Sequence, residues 1–415
     1  MITNTYIQTH IEETKELLKR RKINIDVNEF VNICQKYGTK LKMLDDLRHR
    51  QKSIQDITKA KQNKEEIRKI KVEVNELFEK KEKIFQCLPN NLAEHTPDGN
   101  SDKDNKELRK VGLLPEFSFT PKTHDSIGSL LGILDLKRGA KVSGNGFYYW
   151  LGDGAILVNA LYRLAEDMLI TKGFELVLPP VFAKERTFYG TGYFPFAVKE
   201  NYKIEGKDLY PIGTSEQTLV ALHDNEILQS EDLPRCYTAY TPCFRIEAGS
   251  AGKKTRGAFR VHQFHKIEQI IFCEPKDSEN WHQRCLENCE ELMAKLCIPY
   301  RVVRVCVGDM GAPGFKKYDV EAWFPGYGEY RETHSDTNLT DFQAYRFNIK
   351  YQSNDGKKAY LHTISSTMAT DRIVLAILEN FQQEDGSVLI PKALWPYTYG
   401  KKVVKKEQWK QSRLE

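Results

Sequence analysis

The chain has 415 residues, 40% hydrophobic and 29% charged, with 20 Tyr and 20 Phe, a composition that excludes a disordered or collagen-like protein. A formal charge of +5, from 62 basic and 57 acidic residues, is too small for composition to speak for nucleic-acid binding, which only a local cluster would show. No apolar run approaches the roughly 20 residues of a membrane span, and Met1 to Thr5 carry no basic stretch followed by an apolar one, so no membrane association and a cytoplasmic location are expected. Single cores seldom exceed roughly 250–300 residues, which predicts two structural units. The nine Cys are scattered and odd in number, as in reduced intracellular proteins; Cys285 and Cys289 stand one helical turn apart, but no second close pair completes a zinc site.

The first 90 residues read as two long helices. Val27, Phe30, Cys34, Tyr37, Leu41 and Leu44 follow three-four spacing, which Leu47, Ile54 and Ile57 continue after a register shift. Ile67, Ile70, Val74, Leu77, Ile84 and Leu88 mark the second helix, and the polar stretch Thr58 to Asn63 is the expected tip of an antiparallel hairpin. Lys52, Lys59, Lys61, Lys64, Arg68 and Lys69 crowd toward that tip, and admit two readings, a solvated helix face and a surface for backbone phosphates. Pro89 ends the second helix, and Asn90 to Asn105 reads as a linker, dividing a unit of residues 1–105 from one of 106–415.

Beyond the linker, strands mix with helices. Gly146 to Leu151 is strand-like, Asp153 is placed to cap a helix from about Ala155 to Leu169, and Phe174 to Leu178 alternates before Pro179-Pro180. Further strands are expected at Ala239 to Phe244, Phe259 to Ile271, Val302 to Val307, Asp319 to Phe324 and Gln343 to Tyr351. Several connect without an intervening helix, which predicts an α+β fold with an antiparallel sheet rather than a doubly wound parallel one; the absence of a Gly-x-Gly-x-x-Gly or Walker A loop agrees.

Three segments carry the chemistry. Thr241-Pro-Cys-Phe-Arg245-Ile246-Glu247 and Phe259-Arg260-Val261-His-Gln-Phe264 flank a Gly-rich, basic loop from Ala248 to Ala258, an arrangement that offers a planar arginine fork to phosphate oxygens. Arg372 opens an apolar helix directly after small residues, where its charge adds to the helix dipole. Gly173 to Pro180 is a helix end followed by a strand that stops at Pro.

Taken in chain order, Gly173 to Pro180 first, the segments resemble the three signature motifs of class II aminoacyl-tRNA synthetases. Gly213-Thr214-Ser215-Glu216, Phe244 to Gly252, Thr255-Arg-Gly257, His262-Gln-Phe264, Gly308 to Gly311, Lys317-Tyr-Asp319, Thr340 to Gln343 and Ile377 to Asn380, with the N-terminal arm, narrow the resemblance to the seryl-tRNA synthetase family over nearly the whole chain. The resemblance implies an antiparallel sheet flanked by helices, an N-terminal two-helix coiled-coil arm that contacts serine tRNA, a homodimer, and ATP-dependent activation of L-serine with Mg2+. It implies ATP contacts from Arg245, Ile246, Glu247, Val261, Phe264, Glu332, Thr333, His334, Ser335 and Arg372, with Glu332 and Ser335 on the metal. Arg245, Arg372 and Glu332 would act in catalysis, and Thr214, Ser215, Glu216, Arg245, Glu268 and a hydroxyl residue before Arg372 would hold serine.

Two departures from the family stand out. Glu332-Thr-His334-Ser335-Asp336-Thr-Asn338 replaces Glu-x-Ser-Ser-Cys-Ser-Asn, which leaves open neutral drift or a retuned pocket, and Tyr345 stands where the family commonly has Arg. The segment from His362 to Arg372 is one residue short: counting back from Arg372 selects Ser366 as the serine-binding hydroxyl, counting by the Thr-Met pair selects Thr367, and Ser366 is the expected one. A changed hydroxyl here bears on which amino acid is used, leaving a paralogue that activates serine or a relative for another pathway as the alternative.

Overall fold

The computed structural model of the chain describes residues 3–247 and 257–406. Two helices build the N-terminal arm, α1 (Val27–Ser53) and α2 (Ile57–Gln86), each started by an aspartate: Asp26 accepts from the amides of Asn28 and Glu29, and Asp56 from that of Lys59. Leu44, Leu47, Ile70 and Val74 are buried along the seam, with Tyr37, Leu41 and Ile67 packed against them. The reversal falls at Ile54 to Asp56, not at Thr58 to Asn63, because the Asp56 cap begins α2 before the polar stretch. Of the expected seam residues, Ile57 is 74% exposed at the tip. Asn63, expected in the turn, is buried in the seam and donates to Leu47 O and Gln51 Oε1.

Two short helices precede the arm, Asn4–Thr9 and Ile11–Arg20, and the sequence reading missed them. Their Ile7 and Leu18 pack with Val27, Phe30, Phe85 and Leu88 into a separate core at the arm base. Residues 90–105, expected as a linker, run as a strap tied to the rest of the molecule: Asn90 is fully buried and its Nδ2 donates to Pro313 O and Leu339 O.

The remainder is organised on an eight-stranded sheet. Its strands are β1 (Lys106–Val111), β2 (Glu175–Leu176), β3 (Arg235–Phe244), β4 (Gln263–Cys273), β5 (Tyr300–Arg304), β6 (Lys316–Phe324), β7 (Glu329–Thr340) and β8 (His362–Thr370). The order is β1-β5-β6-β7-β8-β4-β3-β2, and every pairing is antiparallel except β2 with β3. Helices α3 (Asp153–Thr171), α4 (Ser278–Lys295) and α5 (Asp371–Asn380) pack on the sheet through Leu157, Leu161, Leu292, Ile373 and Ile377. The strand expected over Gln343 to Tyr351 is instead a helix, Phe342–Phe347, followed by a short strand, Lys350–Gln352. Asn348 ends the helix in the left-handed conformation at φ +55°, a role its short polar side chain tolerates. Among the described residues no helix is long and apolar enough to cross a membrane.

Candidate active site

Strand alternation and two irregularities bring the chemistry to one face of the sheet. Side chains of a regular strand three residues apart face opposite ways. Glu332 and Ser335 nevertheless both line a cleft of about 380 Å³, because Thr333 is an extra residue between the pairs Val320–His334 and Glu321–Glu332. On the neighbouring strand Met368 is the extra residue, and it brings Thr367 and Thr370 to the same cleft.

Phosphate-type chemistry gathers at one end. The Arg245 guanidinium donates to Gly213 O through Nε at 3.3 Å and Nη2 at 3.2 Å, and lies 5.2 Å from the centre of the Phe264 ring. Glu247 sits at φ +54° and pairs with Arg260. Arg372 donates from Nη1 to Glu332 Oε2 at 2.9 Å and from Nε to Phe259 O at 3.3 Å, and stacks 4.5 Å from the Phe259 ring. Enclosure in the cleft opposes ionisation of Glu332, but Arg372 and Lys317 outweigh it and hold the carboxyl well below the usual range. Lys317 pairs with Asp319 at 3.2 Å, and this buried lysine is pushed further up by the carboxylates around it although burial opposes its charge.

The other end is a network of side-chain polar groups. Thr214 Oγ1 donates to Glu268 Oε1 at 3.0 Å, and Lys266 pairs with the same oxygen. Glu216 accepts from Tyr193 OH at 3.1 Å and from Gln343 Nε2 at 2.6 Å, while Thr363 Oγ1 holds Gln343 Oε1 at 2.9 Å. Each carboxylate is therefore held at a fixed angle by donors from different elements.

Of the residues expected in the site, Arg245, Glu216, Glu247, Val261, Phe264, Glu268, Glu332, Thr333, Ser335 and Arg372 line this cleft. Thr214 stands just behind it on Glu268, and Ser215 is fully buried outside it. Ile246 contributes no cleft side chain, and its amide is taken by Glu200 O at 2.9 Å.

Two expectations are corrected. Ser366 faces away from the cleft: it pairs with Gln269 across the strands, and its Oγ accepts from Gln269 Nε2 at 3.3 Å beneath α4. Thr367, opposite Glu268, lines the cleft, as do Ser365 and Thr370 of the same strand. His334 also faces the other side, 1% exposed, with burial pushing its imidazole down to about 4, so it adds no titratable base to the cleft. Most of the basic loop, residues 248–256, lies outside the described residues.

The sequence reading missed Tyr193, Lys266, Lys317 and Gln343. Lys266 was findable by parity, since it alternates with Phe264 and Glu268 on one strand face, and Lys317 and Gln343 stand inside segments already matched to the family.

Residues 196–381 match the tRNA synthetase class II core domain (G, H, P, S and T). The chain is 41% identical to the serine--tRNA ligase of Pyrococcus furiosus, with 98% of each chain covered. Among solved structures it is similar to the seryl-tRNA synthetase from Pyrococcus horikoshii complexed with ATP, at TM-score 0.91 and 38% identity over 98% of this chain and 100% of that one. It is also similar to the cytoplasmic serine-tRNA ligase from Naegleria fowleri in complex with AMP, at TM-score 0.86 and 31% identity over 96% of both chains. With a relative this similar over nearly its whole length, and with both ends of the cleft built from the motifs that define it, the chain belongs to the seryl-tRNA synthetase family of class II aminoacyl-tRNA synthetases.

Proposed function

We infer that the chain is a serine--tRNA ligase, which activates L-serine with ATP and transfers it to the 3′ end of serine tRNA. One observation carries the reading: the arginines Arg245 and Arg372 and the polar residues Glu216, Glu268 and Thr367, with Thr214 behind Glu268, line one cleft.

In the first step a serine carboxylate oxygen attacks the ATP α-phosphorus, and the bond to the bridging oxygen breaks to release pyrophosphate. In the second, a ribose hydroxyl at the tRNA 3′ end attacks the acyl carbon and AMP leaves. Neither step needs a protein nucleophile; the work is to hold two anions together and offset charge at phosphorus. Arg245 holds the α-phosphate beside the serine carboxylate, Phe264 stacks on adenine, Glu247 accepts from its amino group, and Arg372 holds the γ-phosphate. Glu268, Glu216 and Thr367 orient the amino and hydroxyl groups of serine.

Glu332 and Ser335 fit a magnesium ion on ATP, being hard oxygen donors that a bulge turns into the cleft, with Glu332 kept ionised. Among the described residues no group of three or more His, Cys, Asp and Glu is placed to hold a metal. Bound there, the ion would neutralise phosphate charge.

Residues 106–415 act as the catalytic unit and residues 1–105 as the arm and its strap, with the exposed basic tip contacting tRNA. A homodimer is supported by the apolar surface of Gly173 to Pro180, where Leu176 is 40% and Leu178 85% exposed. The cytoplasm is the compartment this function calls for.

Pyrophosphate exchange over a panel of amino acids, followed by charging of serine tRNA, tests the reading. Serine-dependent exchange with charging is expected; exchange with another amino acid, or without charging, would favour the biosynthetic paralogue. Arg245→Ala should cost about 3–4 kcal/mol of transition-state stabilisation, by analogy with losing one preorganised donor. Exchange near the wild-type rate in that variant would overturn the role given to Arg245.

A further inference from the structure

One wall of the cleft is not held by the catalytic sheet alone. Met310 to Gly314 line the cleft in unbroken succession. Behind them, five consecutive carbonyls from Gly311 to Phe315 accept hydrogen bonds from the N-terminal part of the chain. Arg21 Nη1 donates to Gly311 O at 3.1 Å and Nη2 to Gly314 O, while Nη2 also reaches Asn91 O at 3.2 Å. Asn90 donates its amide to Ala312 O at 2.8 Å and its Nδ2 to Pro313 O at 2.9 Å, and the Ala93 amide donates to Phe315 O at 2.9 Å.

Arg21 is half-buried, and among the described residues no carboxylate pairs with it. A guanidinium with backbone carbonyls as its partners is a geometric clamp, since its planar fork fixes two carbonyls at once. The clamp sits where the short helix Ile11–Arg20 ends, and its neighbour Arg20 ties the same turn to Asp98 and Thr96 O.

The clamped wall meets the polar end of the cleft. A Cβ on Gly192 would stand 2.7 Å from Pro313 Cγ, so the wall is pressed against the segment whose next residue, Tyr193, holds Glu216. Arg372 is held instead by Phe259 and Glu332.

We propose that Arg21 and Asn90, at the base of the N-terminal arm, are positioning residues for amino-acid activation, acting through the Met310 to Gly314 wall on the pocket around Glu216. The proposal rests on the activation reading above. It divides the N-terminal unit in two: the tip of the arm serves tRNA, whereas its base completes the cleft even when no tRNA is bound.

The test is pyrophosphate exchange without tRNA, with serine and ATP varied separately, on the full chain and on Arg21→Ala, Arg21→Lys and Asn90→Ala. The alanine variants should raise the KM for serine roughly tenfold, the scale of one or two lost hydrogen bonds to charged or buried groups, with the KM for ATP within about twofold. Arg21→Lys, which keeps a charge and several donors, should recover part of the loss. Unchanged serine KM in folded Arg21→Ala and Asn90→Ala overturns the proposal. So does an equal rise in both KM values together with a lowered Tm, which would mark a merely structural role. If the wild type exchanges only with another amino acid, the serine reading fails, and the same comparison made with that amino acid still decides on Arg21.

Discussion

Thr367 and Ser366 are one position apart and on opposite faces of β8. Thr367 stands across from Glu268 with its side chain in the cleft; Ser366 stands across from Gln269 with its Oγ under α4, 3.7 Å from Cys289 Sγ. Thr367→Val keeps the shape and removes the hydroxyl, so serine-dependent exchange should lose roughly tenfold or more in kcat/KM. Ser366→Ala should leave kcat/KM within about threefold while lowering Tm, since Gln269 Nε2 loses one of its acceptors. The reverse pattern in steady-state kinetics would return the serine hydroxyl contact to Ser366. At this scale the motif residues were legible because charged and aromatic types at fixed spacings leave little choice. Ser366 was expected on the cleft face because counting back from Arg372 treats the strand as regular, and parity against Glu268 carries the information that counting lacks.

The elements were legible where hydrophobic alternation is uninterrupted and illegible where one residue is inserted. The strands read at Ala239 to Phe244, Phe259 to Ile271 and Asp319 to Phe324 stand close to the observed β3, β4 and β6, whereas neither the extra Thr333 in β7 nor the extra Met368 in β8 has a residue type that marks it. A bulge is set by how two strands meet, which a single strand's sequence does not record. The segment 343–351 misled for a related reason: its aromatic residues suit a strand, but Phe342, Ala344 and Phe347 bury one side of a short helix that Asn348 ends.

β8 also sets a pH response. Its first residue, His362, is pushed down to about 4 by burial, against an opposing pull from Asp341, and among the described residues its Nδ1 has no hydrogen-bond partner. The unfolded chain takes up a proton near the ordinary value of 6.5 while the folded chain does not, so the stability present above pH 6.5 is lost as pH falls toward 4. The full window is worth on the order of 3 kcal/mol. His362→Gln should flatten that part of the profile, as urea denaturation at pH 7 and pH 4.5 would read; an unchanged slope would remove His362 from the acid response.

For the whole molecule, the division into a helical arm and an antiparallel α+β body was legible from the change of periodicity after residue 110, while the docking of the arm base onto the body was not. The strap 90–105 reads as polar linker because its polar side chains serve partners distant in sequence: Asn90 donates to Pro313 O and Leu339 O, Asp98 accepts from Arg20 and Asn105 from the Cys306 amide, and no local pattern reveals such partners. The arm tip is different in kind. Lys52, Lys59, Lys61, Lys64, Arg68 and Lys69 are all exposed there, and α1 at 1.5 Å per residue places the tip roughly 40 Å from the base. RNA helices are read mainly through shape and backbone, and each phosphate neutralised releases counterions, so tip contacts should make charging fall steeply with salt. Deleting residues 45–75 removes the seam of Leu47, Ile70 and Val74 but leaves Phe30, Val31, Cys34, Phe85 and Leu88 packed at the base. Serine-dependent pyrophosphate exchange should then stay within about threefold of the full chain, since the Arg21 clamp is kept, while tRNA charging drops roughly a hundredfold or more and loses much of its salt dependence, as expected when several phosphate contacts are removed. Equal loss of exchange and charging would mean that tip and base act as one body, and charging that keeps its salt slope would move the tRNA contact off the arm.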